Sequence, residues 1–477
     1  MKSRKRTILF AVLGILILLS AFSYLYLRYA DSVPREDIRH FSKDTYDSIF
    51  LSMHSTADYS QEDFATYHGL NTVISSHEIQ NMDEMNRYLK AAFSSGNTIS
   101  HIFLLVDPVM IWESCEQDSS QWDKSLQDGL FSFVSQNPSV NFEILLPYPS
   151  LPYWLERDQA ELEDALSLYH AFIEAAYEYD NTRTFYMGFE NWMLGNPDNY
   201  VSDFDVNDVI ARKIFLTCFC DGAYQITPIN DEILFNRLLE LIARERTQPT
   251  VYPDLSDRCL IFFGDSVIVY GEGSYSIPGY ISGLSGAVTY NYGRGGSSAS
   301  TSSPGNGDLA NILDDFLADH CVKEGETYRF APDETDLTGK KLYFILNYGL
   351  NDYFEGAAVE NPEDPFDINT YTGSLRSFLT EFATLFPDAE FILMTPTFTN
   401  YYSNGTEHNS EVGGSLTDYV NAAYALSKEM DVHCIDNYHD LRIDESNIWD
   451  YSGDGCHPNE DCRMLIAQHI IAFLENL

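Results

Sequence analysis

Cys259 to Ser266 reads CLIFFGDS, five apolar residues running directly into a glycine, an aspartate and a serine. An apolar run without polar alternation is the pattern of a strand buried on both faces, as in a parallel sheet covered by helices. Gly264-Asp265-Ser266 then marks the strand's C-terminal edge, where open α/β sheets form their clefts. Similar runs follow at AVTYNYG (Ala287 to Gly293), KLYFILNYG (Lys341 to Gly349), AEFILMTPT (Ala389 to Thr397) and VHCIDN (Val432 to Asn437). Between them, Leu309 to His320, Thr372 to Phe386 and Ser415 to Met430 carry helical spacing. Strands alternating with helices predict an α/β domain with a parallel sheet.

The same rhythm recurs upstream. DSIFLSMH (Asp47 to His54) parallels CLIFFGDS, and HIFLLVDP (His101 to Pro108) parallels KLYFILNY. PSVNFEILLPYPS (Pro138 to Ser150) lies beside PDAEFILMTPT (Pro387 to Thr397), and Asn196 to Phe215 resembles Trp449 to Ile470. Four matching segments in one order point to an internal duplication. The turn-rich TQPTVYPDLSD (Thr247 to Asp257) divides the halves, giving one α/β domain over 41–250 and a second over 251–477.

Four short segments of the second half carry chemistry. Ser266 stands at a strand end, where its hydroxyl is accessible. Asp454 and His457, in DGCHPN, are three residues apart, so a carboxylate can orient an imidazole acting as general base on a serine. The same turn could instead cap the last helix through Asp454 or Asn459. Asn351, in YGLND after the third strand, offers a side-chain amide to a developing oxyanion. The glycines of NYGRGGSS (Asn291 to Ser298) allow a backbone N–H to approach a reacting carbonyl.

In this order the four segments resemble the consensus blocks of the SGNH (GDSL-like) hydrolases, over roughly Cys259 to Leu477. The resemblance implies two flavodoxin-like three-layer α/β/α domains with parallel sheets, the second of them catalytic. It implies Ser266 as nucleophile, His457 as base and Asp454 as its partner. The oxyanion hole would comprise the Ser266 and Gly296 N–H groups and the Asn351 amide, with Gly293 and Gly295 as alternatives to Gly296. Val267 stands where the family commonly has leucine. In the first half, Ser52-Met53-His54 occupies the GDS position and Val109 to Trp112 the GLND position, with Asp203 and Asp205 where Asp454 and His457 would fall. Nucleophile and oxyanion donor are both missing there, so that domain is expected to be a degenerate, non-catalytic one. His54, His68 and His77 read as ordinary polar or capping residues, and Thr184 to Met193 (TFYMGFENWM) as core or, alternatively, a sugar-stacking surface.

Charge and cysteine usage bound the partners. Lys and Arg total 28 against 72 Asp and Glu, a net charge of −44, which repels nucleic acid. Metal-ligand clusters and lysine-bearing phosphate loops are missing from the sequence, so neither a metal nor a cofactor is expected. Eight cysteines are accessory to a core of this size, with free buried thiols the default and Cys456 and Cys462 a plausible pair. Residues 1–28 hold the basic MKSRKR and the uncharged run Thr7 to Leu27. That run reaches about 31 Å as a helix, enough to span a bilayer. Cationic residues before it predict a signal anchor with a juxtamembrane linker over 29–40 and an extracytoplasmic remainder; a cleaved signal peptide is the alternative. The expected function is a cell-surface serine esterase removing acetyl or other small acyl groups from a carbohydrate or cell-envelope substrate. An O-acyltransferase working with a membrane acyltransferase partner on an exported polysaccharide or teichoic acid is the second reading, and a non-catalytic binding or scaffold protein the third.

Overall fold

Runs rich in Ile, Leu and Phe become the central strands of two separate five-stranded parallel sheets. The computed structural model describes residues 45–56, 58–247, 249–302, 307–332, 337–401 and 414–477. The Thr7 to Leu27 run and the 29–40 linker lie outside these residues. Among the described residues no helix is long and apolar enough to cross a membrane.

The first sheet contains β1 (Ser48–Ser52), β2 (Thr72–Ile74), β3 (His101–Leu105), β4 (Asn141–Leu145) and β5 (Thr182–Phe185), in the order β2-β1-β3-β4-β5. The second contains β6 (Arg258–Gly264), β7 (Val288–Asn291), β10 (Lys341–Asn347), β11 (Glu390–Met394) and β12 (His433–Ile435), in the order β7-β6-β10-β11-β12. Each sheet therefore places its first strand second from one edge, its second strand at that edge, and the other three in succession on the far side. Register also matches: Ser52 pairs with Leu105 in one sheet and Gly264 with Asn347 in the other, so His54 and Ser266 stand equally far beyond their ladders. This shared topology supports the duplication read from the sequence.

The antiparallel hairpin of β8 (Cys321–Glu324) and β9 (Thr327–Phe330) was not foreseen from the sequence. In the second unit, helix Ile277–Ser285 packs on the last helix, Glu460–Glu475, while helices Leu309–His320, Tyr371–Leu385 and Leu416–Glu429 pack in series. Right-handed crossovers put these two groups on opposite faces of the sheet, which makes three layers. Phe263, Phe316, Phe344, Phe378 and Phe382 fill the core between sheet and helices, with ring centroids 4.4 to 6.3 Å apart where they touch.

The compact units do not divide at 250/251. Of the described residues, one unit gathers those up to Pro149, Glu156–Met187 and Ala211–Arg237; the other gathers Ser150–Leu155, Gly188–Ile210 and those from Leu238 to Leu477. Within the second unit, Asn196 Nδ2 donates to the Ser274 carbonyl at 2.6 Å, and Asn207 Nδ2 to Ser274 Oγ at 3.0 Å. Side-chain bonds between residues so distant in sequence have no periodic signature, so the turn-rich Thr247 to Asp257 segment gives no sign of them.

The structure also decides between several readings left open by the sequence. All eight cysteines are free thiols, Cys456 and Cys462 among them. The aromatic stretch Thr184 to Met193 is core, since Phe185, Tyr186, Trp192 and Met193 are buried, and it presents no stacking surface. The three N-terminal histidines all have partners: His54 Nε2 lies 3.0 Å from Asp107 Oδ2, His77 Nε2 3.3 Å from Glu84, and His68 Nε2 3.5 Å from Cys220 Sγ. Asp203 and Asp205 fall in the 188–210 segment of the second unit, where they bond Ser150 and Ser202.

Candidate active site

The strand β6 ends in a glycine because its neighbours leave no room for a side chain. A Cβ on Gly264 would lie 2.8 Å from the Asn347 carbonyl oxygen and 2.8 Å from Ile268 Cγ1. Gly264→Ala is therefore expected to destabilise the protein by about 1–3 kcal/mol, read from urea unfolding, because backbone on one side cannot yield.

Asp265 follows and caps the short helix Ser266–Val269, its Oδ1 accepting the Val267 N–H at 2.9 Å. That cap turns the chain sharply, and Ser266 emerges at the sheet's C-terminal edge. Burial pushes the Asp265 carboxyl up to about 7; the Val267 N–H opposes the rise and the neighbouring Asp352 adds to it. Asp352, also fully buried, is raised by burial as well, against the pull of the Ala299 and Ser300 N–H groups.

The loop preceding the last helix brings in the other two groups. Asp454 Oδ1 accepts the backbone N–H of Cys456 at 2.9 Å and of His457 at 2.8 Å, and Ser452 Oγ donates to it at 3.0 Å. Its Oδ2 lies 2.6 Å from His457 Nδ1, and His457 Nε2 lies 3.0 Å from Ser266 Oγ. Burial raises the Asp454 carboxyl, but the hydrogen bonds from the His457 side chain and from the backbone outweigh it and hold the carboxyl down at about 2. It stays ionised, which fixes Nδ1 as the protonated nitrogen and leaves Nε2 to accept the serine proton. Capping of the last helix falls to Asn459, whose Oδ1 accepts the Cys462 N–H at 3.0 Å.

The glycine loop is strapped to the nucleophile's strand. Arg294 N–H and Ser297 Oγ both donate to the Gly264 carbonyl, at 2.8 and 3.2 Å. The Ser297 N–H returns to the Arg294 carbonyl at 3.0 Å, and Gly296 at the third position has φ +77°, as a type II turn demands. Gly293 spends its N–H on Asn291 Oδ1 at 3.0 Å, which removes it as an oxyanion donor. Gly295 faces the nucleophile, since a Cβ there would lie 4.0 Å from Ser266 Cβ. Asn351 Nδ2 donates to the Ser297 carbonyl at 2.8 Å, and Asp352 accepts Ala299 and Ser300 N–H groups at 2.9 Å each. One amide proton of Asn351 thus orients the side chain while its second remains for another acceptor.

Sequence reasoning missed Tyr270, whose ring stacks on His457, and Tyr401, which meets the same imidazole edge-on. It also gave no role to Asp352, although the residue sits beside Asn351. No group of three or more ligating side chains that could hold a metal occurs among the described residues.

The family of GDSL-like lipases and acylhydrolases matches residues 262–462. No curated protein matches the chain. Among solved structures, a Lactobacillus plantarum protein is similar at 18% identity and a TM-score of 0.37, over 48% of this chain and 98% of its own. A lipase/acylhydrolase from Enterococcus faecalis is similar at 14% identity and a TM-score of 0.30, over 46% of this chain and 96% of its own. The relay of serine, histidine and aspartate lies inside the matched span, and the C-terminal part of the chain is a GDSL-like lipase/acylhydrolase domain, a serine hydrolase.

Proposed function

We propose that the protein is a membrane-anchored extracytoplasmic esterase that removes acetyl or other small acyl groups from a carbohydrate or cell-envelope substrate. The observation that carries the reading is the relay itself, with 3.0 Å from Ser266 Oγ to His457 Nε2 and 2.6 Å from Nδ1 to Asp454. His457 takes the hydroxyl proton as Ser266 Oγ attacks the ester carbonyl. Ser266 N–H, Gly296 N–H and the second amide proton of Asn351 receive the oxyanion. Collapse expels the alcohol, which leaves with the proton from His457, and water attacking by the same route frees the acid and restores the serine.

The basic tip and uncharged run of residues 1–28 support the anchor and the export. Exposed aromatic rings beside the relay support a sugar-bearing substrate: Tyr401 touches His457, and Trp449 packs against Gly455. Such faces suit the C–H groups of a pyranose, while −44 of net charge disfavours polyanions.

The test is to treat the full chain with a fluorophosphonate probe, map the adduct by peptide mass spectrometry, and assay p-nitrophenyl acetate alongside. Labelling at Ser266 with turnover of the ester is the expected result. Labelling without turnover moves the reading to acyl transfer onto a glycan hydroxyl, with a membrane acyltransferase as donor partner. A folded protein whose Ser266 takes no label overturns the nucleophile.

A further inference from the structure

The imidazole of His457 is held on its nitrogen atoms by Ser266 and Asp454, but those two contacts lie near one axis and leave the ring free to tilt about it. Tyr270 removes that freedom. Its ring centroid lies 4.4 Å from that of His457 with only 20° between the planes. Tyr401 meets the imidazole at 6.0 Å and 78°, so it does not compete for the stacked face. The tyrosine is tethered to the nucleophile: Tyr270 ends the helix begun by Ser266, and its N–H donates to the Ser266 carbonyl at 2.9 Å. One short helix therefore carries the nucleophile at its first position and, just past its last, the ring that fixes the base. Tyr270 is 45% exposed, far more than a residue kept to fill a core.

We propose that Tyr270 is a positioning residue for the acyl-transfer reaction, stacking on His457 to set the imidazole plane and to face the positive charge it acquires; this rests on the reading of Ser266 and His457 as nucleophile and base. The stacked face of a phenol ring carries negative charge density and attracts a cation within about 6 Å. Proton transfer from Ser266 to Nε2 creates that cation directly over the ring. The stack thus does more in the transition state than in the resting enzyme, so its loss falls on kcat rather than on KM. The phenol hydroxyl has no part in this, and phenylalanine should serve.

The experiment compares Tyr270→Leu and Tyr270→Phe in the full chain. Readouts are the rate of fluorophosphonate labelling at Ser266, kcat and KM for p-nitrophenyl acetate, and the thermal midpoint. Tyr270→Leu should label about tenfold more slowly and lose about tenfold in kcat, with KM within about twofold and the midpoint unchanged. Tyr270→Phe should stay within about twofold of wild type throughout. Labelling of Tyr270→Leu at the wild-type rate, a loss confined to KM, or a Phe variant as impaired as Leu would each overturn the proposal. Proton NMR of wild type with ring-labelled histidine gives a check that needs no variant: His457 ring protons must show the upfield shift of a stacked ring, and normal shifts refute the stack. If wild-type Ser266 takes no label, the nucleophile reading falls and the role of Tyr270 with it. If it labels and all three proteins behave alike, only the role of Tyr270 falls.

Discussion

Ser266→Ala lowers kcat for p-nitrophenyl acetate by about 10³- to 10⁵-fold, His457→Ala lowers it by a comparable factor, and the double variant loses no more than either. The reason is geometric. Ser266 Oγ is 3.0 Å from the nitrogen that must take its proton, and neither group has chemistry to perform without the other. Additive losses, multiplying to a far larger factor, would mean that the two act in separate steps, and full activity in Ser266→Ala would assign hydrolysis to another residue. Steady-state kinetics of the three variants, corrected for spontaneous hydrolysis, decide it. Asp454→Asn should cost less than either, since a side-chain carbonyl can still accept from Nδ1–H even though the charge at the far end of the relay is gone.

Stability should respond just as sharply to Asp265→Asn, and the response depends on pH. The Asp265 carboxyl titrates near 3.8 when unfolded and at about 7 in the fold, where burial penalises its charge. Below pH 3.8 both states hold the proton and the carboxyl costs nothing. Between 3.8 and 7 the unfolded chain has released its proton while the folded chain retains it, so rising pH favours unfolding. Above 7 the cost is complete: a shift of about three pKa units is worth up to about 4 kcal/mol. Asparagine keeps the acceptor for the Val267 N–H and removes the charge. Asp265→Asn should therefore be the more stable protein at pH 8, with the advantage shrinking towards pH 4, as measured by urea midpoints across that range. A constant advantage at every pH would mean that the gain comes from packing and that the carboxyl is not titrating as described.

Much of the site was legible because its pieces are local in sequence. Ser266 follows its strand, Asp454 and His457 share one turn, and Asn351 follows the strand that pairs with β6. The strands β6, β10 and β11 were legible for a similar reason, being continuous apolar runs buried on both faces. What escaped was built by contacts between distant residues of modest hydrophobicity. The strands β2 and β5 are short and partly polar, as is the β8–β9 hairpin, so no period marks them. The pairing of His54 with Asp107 joins two strand ends and has no motif. The glycine loop was read as a likeness only; which N–H groups it spends on itself depends on bonds such as Gly293 to Asn291, visible only in three dimensions.

The interleaving of the two compact units has a consequence for the history of the chain. A duplicated half that stays contiguous can be shuffled between genes as a cassette, each copy folding wherever it lands. Here the hydrolase half includes Ser150–Leu155 and Gly188–Ile210, and the side chains of Asn196 and Asn207 clasp Ser274 a few residues beyond the nucleophile. A recombination break near residue 250 would cut those clasps. The segments Ser150–Leu155 and Gly188–Ile210 are therefore inherited together with the strand and helices that carry Ser266.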